Sequence, residues 1–380
     1  MSEQSVSVAK SDMYGKGLDV GTSRLVAAWK ESDKDVVVSL RDCYFELKDD
    51  DIDFIQKQGD WKLTTINGRS FALADDGLTV ANWVKQEVKR PMSKGVLNPT
   101  DDDAVDILEE LIGKILGAPR YPGEICVCSI PANTADGEID TTPHVGAVKQ
   151  IITKLGYTFQ QINEGYATLL ALNPKVEKDG ETMPFTGIGI SFGGGMVNLS
   201  LAYKMKELKK MQTSTSHSGD FIDSMVAKSF GKDPGTNSWR VKSNQVTKFK
   251  EEYFEFGKKY TDEELNKLNY KTPERKKYFN KMMTNLELYY ENMMEYTVAA
   301  FKEKFEESDQ SIEEALEIVI SGGTSTPKGF ETKFKEILNN SEFPIAVKNV
   351  RKADNTLNST VTGALLWAIN LEQKKKNNAT

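Results

Sequence analysis

Gly17-Leu18-Asp19-Val20-Gly21-Thr22-Ser23-Arg24-Leu25-Val26-Ala27-Ala28-Trp29 and Gly187-Ile188-Gly189-Ile190-Ser191-Phe192-Gly193-Gly194-Gly195-Met196-Val197-Asn198-Leu199-Ser200-Leu201-Ala202 have one shape: an apolar strand, a glycine-rich turn, a second strand. Glycine at a hairpin tip removes the Cβ that would keep an anion away, so backbone N–H groups approach a phosphate closely. Two such tips can hold one polyphosphate between them. A third glycine turn, Ile318-Val319-Ile320-Ser321-Gly322-Gly323-Thr324-Ser325-Thr326-Pro327, follows a β-branched strand and leads toward a helix, a place to lay an adenine ring. One glycine turn alone is weak evidence; the order and context of the three carry the reading.

Around these turns the chain is 380 residues long, enough for two or more lobes with an ample core. Its net charge of −7 argues against a nucleic-acid surface, which needs a concentrated basic face. The three cysteines, Cys43, Cys126 and Cys128, form no even framework and suit core thiols in a reducing cytoplasm. His144 and His217 do not stand at zinc-ligand spacing from them. No apolar run approaches the roughly 20 residues that cross a bilayer, and the N-terminus is too polar for a signal peptide. The expectation is a cytoplasmic protein without an intrinsic membrane anchor.

Trp61–Leu73 reads as two strands across an Asn67-Gly68 turn. Pro99-Thr100-Asp101 is expected to cap a helix running through Ile115, with Leu108, Leu111, Ile112 and Ile115 on one face. Glu124–Ile130 reads as a buried parallel-type strand, and Ala147–Leu155 as a helix ending at Gly156. From Asp223 to about Glu306 the signal is helical and highly charged; Met282, Met283, Leu286, Tyr289, Tyr290, Met293 and Met294 form an apolar stripe read as core packing. Gly363, within Val361–Ile369, permits close helix contact.

From Gly17 to Ile369 the sequence resembles the actin, MreB and heat-shock-chaperone ATPase superfamily. The residues carrying the resemblance are Asp19 to Ser23, Ile162-Asn163-Glu164-Gly165-Tyr166-Ala167, Ser191 to Gly195, Ser218-Gly219-Asp220-Phe221-Ile222-Asp223, Phe249-Lys250-Glu251-Glu252-Tyr253 and Gly322-Gly323-Thr324. Gly95-Val96-Leu97 and Ile130-Pro131-Ala132-Asn133 are similar to segments of MreB and the magnetosome-aligning actins, so the nearest pattern is that of prokaryotic actin-like filament proteins. The resemblance implies an α/β, duplicated actin-like (ribonuclease H-like) fold, with two halves around a nucleotide cleft and a smaller accessory lobe on each. The expected boundaries are 14–160, with an accessory lobe at about 32–90, and 161–370, with one at about 227–300; 1–13 and 371–380 are expected as polar tails.

The resemblance also implies ATP or ADP with Mg²⁺ in the cleft. Asp19 is expected to hold the metal through water, and Glu164 to orient the attacking water. Gly21, Thr22, Ser23, Ser191, Gly193, Gly194 and Gly195 are expected at the phosphates; Gly219, Asp220, Lys250, Glu251, Gly322, Gly323 and Thr324 at the nucleoside and its surroundings. One departure stands out. The family usually places a second Mg²⁺-directed Asp before the second phosphate turn, and here that residue is Ser191, which contributes a dipole but no charge. Slow hydrolysis is therefore expected, with nucleotide binding intact. The expected function is an ATPase that assembles with itself into cytoskeletal filaments through nucleotide-biased closure, with room for an adapter tying the filament to cargo. The alternative is a non-polymerising, nucleotide-sensing adapter, supported by Ser191. A small-molecule kinase lacks an extra acidic base here, and a chaperone lacks a peptide-binding domain after Ile369.

Overall fold

The computed structural model describes residues 14–378 apart from 49–51, 53, 54, 56, 58, 60, 85, 173, 174, 179, 180, 309–311, 313 and 314. Strands β1 (Lys16–Val20) and β2 (Arg24–Glu31) form the first hairpin, and β3 (Lys34–Arg41) pairs antiparallel with β2. The chain then builds a small sheet from β4 (Tyr44–Leu47), β5 (Leu63–Ile66) and β6 (Arg69–Leu73), followed by helix α1 (Ala74–Trp83). Asn67 and Gly68 both take positive φ, 49° and 76°, as a tight two-residue hairpin demands. A short hairpin, β7 (Met92–Ser93) and β8 (Val96–Leu97), leads back to α2 (Ala104–Leu116), β9 (Ile125–Ile130), α3 (Thr142–Lys154), β10 (Thr158–Asn163) and α4 (Glu164–Leu172). The resulting sheet has the order β10-β9-β1-β2-β3, with β9 and β10 parallel to β1.

After β11 (Lys175–Lys178) and β12 (Glu181–Pro184) the pattern recurs. Strands β13 (Gly187–Phe192) and β14 (Val197–Tyr203) form the second hairpin, with β15 (Lys206–Glu207) and β16 (Thr213–Thr215) pairing onto β14. Four helices follow: α5 (Gly219–Ser229), α6 (Ser243–Tyr253), α7 (Asp262–Lys267) and α8 (Pro273–Glu307). Then come β17 (Leu316–Ser321), α9 (Phe330–Asn340), β18 (Val347–Lys352) and α10 (Ser359–Asn378). This second sheet has the order β15-β14-β13-β17-β18, with β13, β17 and β18 mutually parallel. Each sheet is thus a hairpin extended by two parallel strands, the internal duplication expected of the actin-like fold. The interior strands β9, β13 and β17 are buried at every residue, which is why they read as nearly unbroken apolar runs. Within α8, Met282, Leu286, Tyr290, Met293 and Met294 are core, as their helical spacing indicated; Met283 and Tyr289 of the same stripe are partly buried against it, and Phe279 joins the core.

Two expectations shift. The helix expected to be capped at Asp101 begins at Ala104; Asp101 Oδ1 accepts from the Asp103 N–H at 3.2 Å, and the same carboxylate also accepts from the Tyr44 hydroxyl, at 2.7 and 2.8 Å. Residues 371–378, read as part of a polar tail, continue α10. The reason lies in Glu372, which is buried and accepts from the Ile125 N–H at 2.9 Å and the Tyr121 hydroxyl at 3.1 Å, satisfying the first amide of β9. The segment 1–13, read as the other tail, lies outside the described residues, as do 379 and 380. Among the described residues, no helix is long and apolar enough to cross a membrane.

The two sheets meet through α4 and α10, and backbone touches backbone there. A Cβ on Gly165 of α4 would lie 2.5 Å from the Gly189 carbonyl oxygen of β13 and 2.8 Å from the Ser200 nitrogen of β14. In the related contact, a Cβ on Gly17 of β1 would lie 2.6 Å from Leu365 N and 2.7 Å from Val361 O of α10. Gly363 of α10 abuts the Ala167 backbone of α4, so the helices cross with no side chain between them. Gly363→Ala should therefore destabilise the fold by roughly 1–3 kcal/mol despite alanine's better helix propensity. Gly146→Ala, in α3 with nothing within 4 Å of the new methyl, should stabilise it by up to about 1 kcal/mol. Denaturant titrations of the two variants against the parent chain check the opposite signs.

Candidate functional site

Both hairpin tips point into the space between the sheets and converge. At the first tip, Gly21 N–H donates to Arg24 O at 3.1 Å, closing the turn. Thr22 is buried, and its hydroxyl oxygen accepts from the Gly95 N–H at 3.0 Å; Ser23 is exposed. At the second tip, Gly193 N–H donates to Met196 O at 2.9 Å. A Cβ on Gly195 would collide with the Thr22 hydroxyl and the Gly95 nitrogen, so only glycine permits the tips to meet.

The second tip also gathers the elements expected around a nucleoside. Gly193 O accepts from Gly219 N–H at 3.2 Å and from the Thr324 hydroxyl at 2.8 Å, and Gly194 O accepts from Asp220 N–H at 2.8 Å. Gly322, at φ 91°, packs against the Phe192 backbone, and a short 3₁₀ turn follows at Gly323–Ser325. Lys250 is fixed by Asp223, with Nζ 2.7 Å from Oδ1 and 3.5 Å from Gly219 O, while the Thr247 hydroxyl holds the other Asp223 oxygen at 2.6 Å. Gly193, Gly194, Gly219, Asp220, Lys250, Gly322, Gly323 and Thr324 therefore stand together. Glu251, the next residue of α6 after Lys250, is exposed.

Two carboxylates occupy the floor. Asp19 ends β1 and accepts from the Ser129 hydroxyl at 2.6 Å. Burial raises its carboxyl above the ordinary range, and the Ser129 bond offsets part of that rise. Glu164 is the first residue of α4. Burial, with Asp19 as the nearby negative charge, pushes its carboxyl up to about 8, against the pull of Asn198 and Ser191. Ser191 and Asn198 are directly opposed across the β13–β14 ladder and both buried. Asn198 Oδ1 accepts from the Ala132 N–H at 3.2 Å, whereas its buried Nδ2 has no partner among the described residues.

That donor set suits a hard cation. Two facing carboxylates in a partly dry site repel each other, and oxygen ligands with few carboxylates are what a water-held Mg²⁺ takes. Among the described residues, no three acidic, His or Cys side chains cluster. Three contributors were not singled out as site residues by sequence reasoning: Ser129, which holds Asp19; Gly95, which meets Thr22; and Asp223, which fixes Lys250. Both Gly95 and Asp223 stood in segments that carried the resemblance, Gly95-Val96-Leu97 and Ser218–Asp223, without a role assigned to them.

The sequence profile of the volactin family matches residues 14–368. The chain belongs to that family. No curated protein matches its sequence. Among solved structures it is similar to the MamK double helical filament, with 14% identity, coverage of 93% of this chain and 98% of that one, and a TM-score of 0.64. It is also similar to MreB 5 of Spiroplasma citri bound to AMPPNP, with 14% identity, 96% and 98% coverage and a TM-score of 0.60. The ADP-bound form of that protein gives 14% identity, 95% and 98% coverage and a TM-score of 0.56. Volactin-family membership and these likenesses agree with the duplicated actin-like fold seen in the two sheets.

The Glu164 environment makes stability depend on pH with a definite sign. Its carboxyl sits near 8 folded against 4.5 for the free group, so the folded state binds the extra proton between those values. Stability from this group is therefore lost as pH rises from about 4.5 through 8. In metal-free buffer Glu164→Gln should flatten the fall of the thermal midpoint between pH 6 and pH 8.5, and exceed the parent chain at the upper end; midpoints across that range check it.

Proposed function

We propose that this chain binds ATP with Mg²⁺ between the two glycine tips, hydrolyses it slowly, and assembles into cytoplasmic filaments whose formation is coupled to closure around the nucleotide. The observation carrying this reading is the convergence of Thr22 and Gly195, with Gly193 tied to Gly219 and Thr324. One cleft then offers amides to phosphates and a glycine-lined surface to a nucleoside. The relatives supply support of a different kind: MamK is described as a double helical filament, and MreB 5 of Spiroplasma citri is described bound to AMPPNP and to ADP.

Within this reading each residue has a task. The amides of Thr22 and Ser23 and of Gly194 and Gly195, which the turn-closing bonds of Gly21 and Gly193 leave free, take the phosphate oxygens, and the hydroxyls of Thr22 and Ser23 add donors. Asp19, steadied by Ser129, would hold Mg²⁺ through water, and the ion would supply charge neutralisation at the phosphates. Glu164 orients a water; a carboxyl shifted toward neutral pH is suited to receive its proton. Ser191, where the family resemblance implies a second aspartate, and Asn198 opposite it give dipoles without charge, so the site is weaker toward a divalent ion than one with two aspartates. A ligand bridging both sides of a cleft favours the closed form by its differential affinity, and a polymer preferring that form is reciprocally linked to it.

A non-polymerising nucleotide sensor is the second reading, and Ser191 is the observation favouring it. Phosphate release followed together with light scattering after adding ATP and Mg²⁺ separates the two. Scattering that rises with ATP supports the filament, and unchanged scattering with bound nucleotide supports the sensor. In the same assay Asp19→Ala should abolish Mg²⁺-dependent phosphate release, and Ser191→Asp should raise it. An unchanged rate in Ser191→Asp would mean the missing charge does not limit turnover.

A further inference from the structure

Between the small β4–β6 sheet and β7, the chain crosses the edge of the cleft at Arg90. Its backbone is pinned on both sides: Lys89 and Tyr44 exchange two hydrogen bonds of 2.9 Å, and Pro91 O accepts from Asn98 N–H at 2.8 Å. Its side chain is not committed. Among the described residues, the one ion pair of the guanidinium is with Asp220, at 4.0 Å, beyond hydrogen-bonding distance. Other cations around the cleft are already engaged. Lys250 lies 2.7 Å from Asp223, Lys242 2.8 Å from Glu87, and Arg41 2.7 Å from Asp75.

The groups facing Arg90 belong to both tips. Asp220 N–H donates to Gly194 O, so Asp220 is fastened to the second tip. Asp42 N–H donates to Ser23 O at 3.1 Å, so Asp42 is fastened to the first. The Asp42 carboxyl is fully buried, and neither of its oxygens has a hydrogen-bond partner among the described residues; Arg90 is the positive charge acting on it. A guanidinium with up to five donors to fill thus lies 4.0 Å from Asp220, which is anchored to the second tip, and its charge reaches Asp42, which is anchored to the first and which burial alone pushes toward its neutral form. A triphosphate placed between those tips needs a cation on this side, and Arg is the side chain whose planar fork matches phosphate oxygens.

We propose that Arg90 is a nucleotide-binding residue whose guanidinium contacts the phosphates from the outer edge of the cleft, beside Asp220. The proposal rests on the ATP-binding reading and adds to it a cation that the three glycine turns do not contain. It concerns the phosphates alone, so adenosine is the internal control. Charge-assisted bonds of this kind correspond to roughly a ten- to hundredfold change in affinity.

Equilibrium titration of the full chain with ATP, ADP and adenosine in the presence of Mg²⁺ tests it, on the parent chain and on Arg90→Ala, Arg90→Lys and Glu87→Ala. Glu87→Ala breaks the neighbouring bridge to Lys242 while leaving the guanidinium in place. Arg90→Ala is expected to lose roughly ten- to hundredfold in affinity for ATP and ADP and nothing for adenosine. Arg90→Lys, which keeps the charge but not the planar fork, should fall between Arg90→Ala and the parent chain, and Glu87→Ala should match the parent chain. Equal losses for ATP and adenosine in Arg90→Ala, no loss at all, or a loss in Glu87→Ala as large as in Arg90→Ala would each overturn the proposal. A parent chain that binds none of the three ligands would overturn the ATP-binding reading and this proposal together; a parent chain that binds ATP keeps the two separable.

Discussion

The cleft exists because α4 and α10 cross with backbone against backbone. Gly363 rests on Ala167, Gly165 on Gly189, and Gly17 on the start of α10, so each sheet lies against the helix that follows the other sheet. A side chain at any of these contacts would wedge the sheets apart near the point from which both hairpins project. The tips lie at the far ends of β1 and β13, and a small displacement at the crossing moves them by more. Their meeting at Thr22 and Gly195 is thus a consequence of packing at the floor as much as of the turn sequences.

Electrostatics then decides what that geometry can hold. Asp19 and Glu164 share a confined space, and the groups nearest them, Ser129, Ser191 and Asn198, are neutral. Each carboxyl is pushed toward its protonated form, a condition that a cation would reverse. Further out, burial also pushes the carboxyls of Asp42 and Asp220 up, with Arg90 pulling both down, while Asp223 is paired with Lys250. In the proposed reading, the charge of a polyphosphate would be met by backbone amides, by a metal ion and by Arg90. The replacement of an expected aspartate by Ser191 lowers the negative charge at the floor, where a divalent ion would sit, and leaves the amide tips unchanged.

Much of this was legible before any coordinates. The two strand–glycine–strand segments became β1–β2 and β13–β14, Asn67-Gly68 became a tight turn, and Glu164 proved to be the first residue of the helix after β10. Local signals sufficed there, because a turn or strand is written in adjacent residues. What was not legible depends on partners distant in sequence. Arg90 is an unremarkable basic residue until Asp42 and Asp220 are brought to it, and Asp223 is an ordinary helix acid until Lys250 reaches it from the next helix. The end of α10 was misread for the same reason: Leu371–Asn378 is polar by composition, and only the contact of Glu372 with Ile125 and Tyr121 shows why it stays helical. Asp101 has the sequence of a cap and accepts from the Asp103 N–H, but its second partner, Tyr44, is distant in sequence and could not be read from it.

The central claim is that the two amide-lined tips grip one nucleotide from opposite sides. A crystal or cryo-electron microscopy structure of the chain with Mg²⁺ and a non-hydrolysable ATP analogue tests it most directly. The account predicts phosphate oxygens within hydrogen-bonding distance of amides at both tips, Thr22–Ser23 and Gly194–Gly195, with the base beside Gly322–Thr324. An analogue lodged elsewhere, or held by one tip while the other points away, would contradict it.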